Sequence, residues 1–244
     1  MRLASISLLM MFSSMLLRAA TAEDALLVSI RAFESAFQAW SGAGFGRAAA
    51  SLEKLPKSPE RDYWLGVSKF HESLHHLGNG AEIKAAAATD AAILALERLI
   101  EKKESNAEAH ALLGTLYGMK IDGSIFRAVR YGPSVERHRK AALEHGSDNP
   151  RVLYLVGMCQ FHTNRMEEAA TTLAKAAECF EHQPNTVSLP NKPAWGRSSC
   201  LCFLGQAYEK LGRQAEALDC FQKALKLHPT DRLAAAGAQR LRSK

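Results

Sequence analysis

From Arg197 to Asp231, the residues Leu201, Leu204, Gly205, Tyr208, Ala217, Phe221, Ala224 and Pro229 recur at helical spacing on either side of Lys210-Leu211-Gly212-Arg213. Two antiparallel helices satisfy this pattern. Small residues at Gly205, Ala217 and Ala224 let the backbones approach, while Leu204, Tyr208 and Phe221 fill the space between them. Gly212 suits the end of the first helix, and Pro229 cannot continue the second. A hairpin this short leaves one apolar face unburied, so the rest of the chain must supply neighbours of the same kind.

Those neighbours are visible upstream. Leu65-Gly66, Leu113-Gly114 and Val156-Gly157 repeat the Leu204-Gly205 pair, and the four glycines fall 48, 43 and 48 residues apart. The first unit adds Trp64, Phe70, Ala92, Leu96 and Leu99. The second adds His110, Tyr117 and a late Lys140-Ala141-Ala142-Leu143, and the third adds Leu153, Ala169, Ala170, Leu173 and Ala176. Before them, Ala25–Trp40 and Arg47–Leu55 form a further helix pair, with the run Ser41 to Gly46 expected as a breaker between them. The composition, rich in Ala and Leu, suits helices throughout.

On these residues the chain resembles tetratricopeptide repeat proteins, which are built from helix–turn–helix units of about 34 residues. Tyr117 to Ile121, Gly132-Pro133-Ser134, Asp148 to Leu153 and Pro193 to Gly196 are similar to segments of exported bacterial members to which no activity is assigned. The resemblance implies an all-α right-handed solenoid. Its expected layout is a signal peptide at 1–22, an amino-terminal helical cap or degenerate repeat at 23–58, the repeat array at 59–231 and a capping helix at 232–244. The spacings exceed the family period, so extra residues are expected as loops near 120–134 and 182–196. The first unit, unbroken and helix-favouring from Ala81 to Glu104, is expected to lengthen its helices instead.

The resemblance also implies a non-catalytic, protein-binding scaffold without a cofactor, whose first helices line a concave groove for a protein or peptide. Carried over position by position, the groove takes Tyr63, Val67 and Phe70 from the first unit and Thr115 from the second. Tyr154, Met158, Phe161 and His162 come from the third and Gln206 from the last. Relatives that clamp a terminal carboxylate use Asn and Lys or Arg where this chain has Val67, Ala111 and Thr115, so no such clamp is expected. Either the aromatic lining receives an apolar segment, or the chain's own insertions, at Ile125-Phe126 or Trp195, cover it.

Leu3 to Leu17 carries no charge, follows Arg2 and precedes Arg18 and the small residues Ala20 and Ala22, the three-part pattern of a cleaved export signal. It is too short to span a bilayer. Export to the periplasm or outside the cell is expected, with no membrane span once the signal is removed. Removing Arg2 and Arg18 takes the formal net charge from +6 to +4, too small an excess to argue for nucleic acid. The five cysteines, Cys159, Cys179, Cys200, Cys202 and Cys220, stand where repeats use small or apolar residues and are expected as buried, inert thiols.

Two other patterns suggest chemistry. His71-Glu72-Ser73-Leu74-His75 matches the helical zinc motif in which both histidines ligate and the glutamate acts as base, giving a small metallohydrolase as the alternative reading. Ala81 stands where one large group of metalloproteases places a third histidine, which speaks for a structural role and no bound metal. Arg127, Arg130, Arg137, Arg139 and Lys140 could bind an anion, a second alternative, but Glu136 and Glu144 interleave as on a solvated helix face. There is no Gly-rich phosphate loop, nucleophile elbow or paired-acid arrangement.

Overall fold

A computed structural model describes residues 21–183 and 188–243. The expected signal peptide lies outside them except for Thr21 and Ala22, which belong to helix α1, helical over 21–38. There follow α2 (Gly42–Glu53), α3 (Pro59–Gly78), α4 (Glu82–Lys102), α5 (Ala107–Ile121) and α6 (Ile125–Gly146). Then come α7 (Pro150–His162), α8 (Met166–Glu181), α9 (Arg197–Lys210), α10 (Gln214–Leu227) and α11 (Arg232–Arg242). Among the described residues the β structure amounts to one antiparallel bridge, Leu189 to Lys192.

The helices pair into five hairpins, from α1/α2 to α9/α10, with α11 packed on the last. Along the stack α3 touches α5, α5 touches α7 and α7 touches α9, so these first helices line one face of an all-α solenoid. Local sequence sets the starts. Ser58, Asn106, Asn149 and Asp231 each accept a backbone N–H from the first turn of the helix that follows, and Pro59 and Pro150 open their helices. At the α9/α10 turn Gly212 takes φ +77°, a left-handed conformation that glycine adopts without strain.

Two expectations about the connections fail. Ser41 to Gly46 is not a breaker: Ser41 caps α2 and the rest of the run is its first turn. A Cβ on Gly42 would lie 2.4 Å from His75 Nδ1, and one on Gly44 2.7 Å from the Ala36 Cβ. These glycines admit close neighbours rather than ending a helix. Nor is 120–134 a loop. The turn is only Asp122-Gly123-Ser124, and α6 runs through Gly132 and Pro133. Proline removes the N–H that the Val129 carbonyl would accept, and Val129 is exposed, so water can take that place.

Inside this second hairpin sits a buried histidine pair. His110 Nε2 donates to the Glu104 carbonyl (2.7 Å), which leaves its Nδ1 to accept from His138 Nδ1–H at 2.9 Å. Arg137 donates to His138 Nε2 (3.3 Å), and Tyr117 stacks on the ring. Burial first, then the charge of Arg137, lowers His138 to about 4, so its ring is neutral near pH 7.

Candidate functional site: the concave groove

The segment 188–196 crosses the concave face and touches three of the first helices. The backbone N–H of Ser188 donates to Glu34 on α1 (2.6 Å), and Trp64 Nε1 on α3 donates to the Pro190 carbonyl (3.1 Å). Trp195 Nε1 donates to the Tyr63 hydroxyl (3.0 Å), while its ring meets Tyr154 of α7 at 6.4 Å and His71 of α3 at 5.5 Å. Gly196, at φ +103°, lets the backbone pass Phe180, Arg151 and Tyr154 on its way into α9. Trp195 is 3% exposed. The expected loop near 182–196 therefore exists over its described part, and it acts as a strap across the groove.

Beneath the strap lies a buried polar network. Tyr63 donates to Glu108 of α5, which also accepts from Arg151 Nε (2.9 Å) and Asn149 Nδ2 (2.8 Å) of the third hairpin. Arg151 reaches Gln183 as well (3.2 Å). Burial, with the Glu108 charge behind it, pushes the Tyr63 phenol well above its ordinary value. Every charge here has a partner, so the network fixes three hairpins and the strap in register.

Six of the nine predicted groove residues lie in this covered half or in the core below it: Tyr63, Val67, Phe70, Thr115, Tyr154 and Met158 are all buried. Trp195 covers Tyr63 and Tyr154 directly. Ile125 and Phe126 cover nothing, being 79% and 89% exposed. The other three predicted residues, Phe161, His162 and Gln206, remain at least partly accessible where the groove opens between α7 and α9. Phe203 joins them: its ring lies 5.6 Å from both Phe161 and His162. The sequence reading, which took only Gln206 from this unit, missed it.

The histidines of the zinc-like motif have structural roles. His71 is enclosed by the rings of Phe33, Phe37, Phe45, Phe70 and Trp195 at 5.1–5.7 Å and donates from Nδ1 to the Val67 carbonyl (2.8 Å). Burial lowers it to about 4. Glu72 pairs with Lys69 (2.9 Å), and His75 packs against Gly42. Among the described residues no three His, Cys, Asp or Glu side chains come together as a metal site would require. The cysteines are all free thiols, and burial pushes Cys200 and Cys202 far up and Cys220 to about 11. In the basic run, Arg127 pairs with Asp122 and Arg139 with Glu136.

The stacked hairpins and their glycine-mediated crossings define a tetratricopeptide-like helical solenoid. Two tetratricopeptide repeat models match the chain, at residues 198–231 and 137–184. No curated protein sequence matches it. Among solved structures it is similar to a thermophilic tetratricopeptide protein of Thermus thermophilus, at 16% identity and a TM-score of 0.63, over 91% of this chain and 100% of that one. It is also similar to the HusA haemophore from Porphyromonas gingivalis, at 17% identity and a TM-score of 0.54, over 75% of this chain and 92% of the other. The Cut9–Hcn1 hetero-tetramer of the APC/C matches at 14% identity and a TM-score of 0.53, over 92% of this chain and 41% of that one. At these identities the likeness shows the fold. The chain is a tetratricopeptide-repeat-like protein, and repeats of this kind support a protein-interaction scaffold.

Proposed function

We propose that this protein is an exported, non-catalytic adaptor that holds a protein or peptide partner at the open end of its groove, between α7 and α9. The observation that carries this is the division of the concave face. The half under the strap is filled by Trp195, whereas Phe161, His162, Phe203 and Gln206 form an accessible aromatic and polar ledge. Aromatic side chains held by one another present area at little entropic cost, which suits an anchoring role. A repeat fold shared with a hetero-tetrameric assembly supports a partner-binding role, and the uncharged run Leu3–Leu17 with Ala20 and Ala22 supports export to the periplasm or beyond.

Capture from the native compartment with the Phe161→Ala/Phe203→Ala variant tests the reading. The variant should lose the proteins recovered with the wild type while keeping its helical content. Unchanged recovery would show that the ledge holds nothing.

A further inference from the structure

The described large hydrophobic residues with the greatest exposure lie at the starts of second helices, not on the first helices that line the groove. In the first turns of α6, Ile125 is 79%, Phe126 89% and Val129 75% exposed. Successive hairpins run the same way, so the start of α4 falls on the same edge of the stack, and it carries Ile83 at 88% exposure. What surrounds them is positive. Residues 120–131 hold Lys120, Arg127 and Arg130 against Asp122, a net +2, with Asp122 paired to Arg127 and Asp90 to Lys120. Arg130 and Lys120 both lie over the ring of Tyr131, at 5.3 and 5.2 Å. No described helix is long and apolar enough to cross a membrane, so any lipid contact by this edge is peripheral.

We propose that the start of α6 is a membrane-surface contact: Ile125, Phe126 and Val129 enter the headgroup–acyl boundary of an anionic bilayer while Arg127 and Arg130 remain among the phosphates. Apolar tips flanked by long cationic side chains are suited to this interface, since the stems extend along apolar surface and the heads stay solvated. Anionic lipid is favoured over neutral lipid by the local charge excess, and the attraction weakens with salt. This surface is separate from the α7/α9 ledge, so either assignment can fail alone.

The test is co-flotation of the protein, as recovered from its cells, with vesicles of phosphatidylcholine alone or of phosphatidylcholine and phosphatidylglycerol mixed two to one. Wild type should partition into the mixed vesicles, and Ile125→Ser/Phe126→Ser/Val129→Ser should lower that partition about tenfold or more. Arg127→Gln/Arg130→Gln should remove most of the preference for anionic lipid. Amide exchange across 125–132 should slow on mixed vesicles in the wild type, a readout that any lipid contact elsewhere in the chain leaves unmoved. Unslowed exchange there, or equal partition of wild type and the serine variant, would overturn the proposal and leave a protein as the occupant of this edge.

Discussion

The two halves of the concave face are built from the same kind of helix, the first of each hairpin, and have opposite fates. Near α1 and α3, Tyr63, Val67 and Phe70 lie beneath a strap whose Trp195 is bonded to Tyr63, and the hollow has become core. Between α7 and α9, Phe161, His162 and Phe203 pack on one another and stay at least partly accessible. An aromatic residue on the inner face of a repeat is therefore not by itself a partner-binding residue. What decides is whether an insertion elsewhere in the chain reaches it.

Removing the cover should produce the largest effect. Trp195→Ala deletes a buried aromatic ring and leaves the Tyr63 hydroxyl without its donor, and should cost about 3–5 kcal/mol in denaturant unfolding. Phe203→Ala on the open side should cost clearly less stability, yet at least about 2 kcal/mol of partner affinity if the ledge is the docking site. Equal losses of stability would erase the distinction between the halves.

Acid should act on the buried histidines as well. His71 and His138 titrate near 4 in the fold and near 6.5 when unfolded, so the unfolded chain takes up protons first as pH falls. Their contribution is complete above about pH 6.5 and is lost progressively toward pH 4, up to about 3 kcal/mol for each group. His71→Phe should flatten its share of that slope, measured as unfolding free energy against pH. A slope unchanged by the substitution would mean that the ring is not held neutral by burial.

Glycine substitutions should give the smallest effects and the clearest contrast. A Cβ on Gly205 would lie 2.9 Å from the Phe221 ring, and one on Gly157 2.6 Å from Leu173, so alanine there should cost about 1–3 kcal/mol. At Gly114 the nearest atom would be 3.5 Å away, an ordinary contact, and alanine should be neutral or stabilising by about 0.5–1 kcal/mol through helix propensity. Thermal melts of Gly205→Ala and Gly114→Ala in opposite directions would confirm the difference in packing.

The same contrast shows what could be read from the residues. Helical pairing was legible because apolar spacing and the Leu-Gly marker are local, and the close approaches at Gly66, Gly157 and Gly205 are those the marker implies. Gly42, Gly44, Gly132 and Pro133 misled, because the rule that glycine and proline break helices ignores a neighbour's need for space and a carbonyl's access to water. The groove was legible only in part. Trp195 was among the residues considered to cover it, but its bond to Tyr63 joins positions 132 residues apart, which no local pattern encodes. Phe203 was missed because only Gln206 was carried over from the last unit, although the two stand one helical turn apart.

Site-specific photocrosslinking tests the central claim most directly, with benzoyl-phenylalanine placed at His162 on the open ledge or at Leu189 on the outer side of the strap. Both positions are exposed, so neither label disturbs the core. The account predicts a crosslinked protein partner from position 162 and none from 189. Crosslinking from 189 with silence at 162 would contradict it.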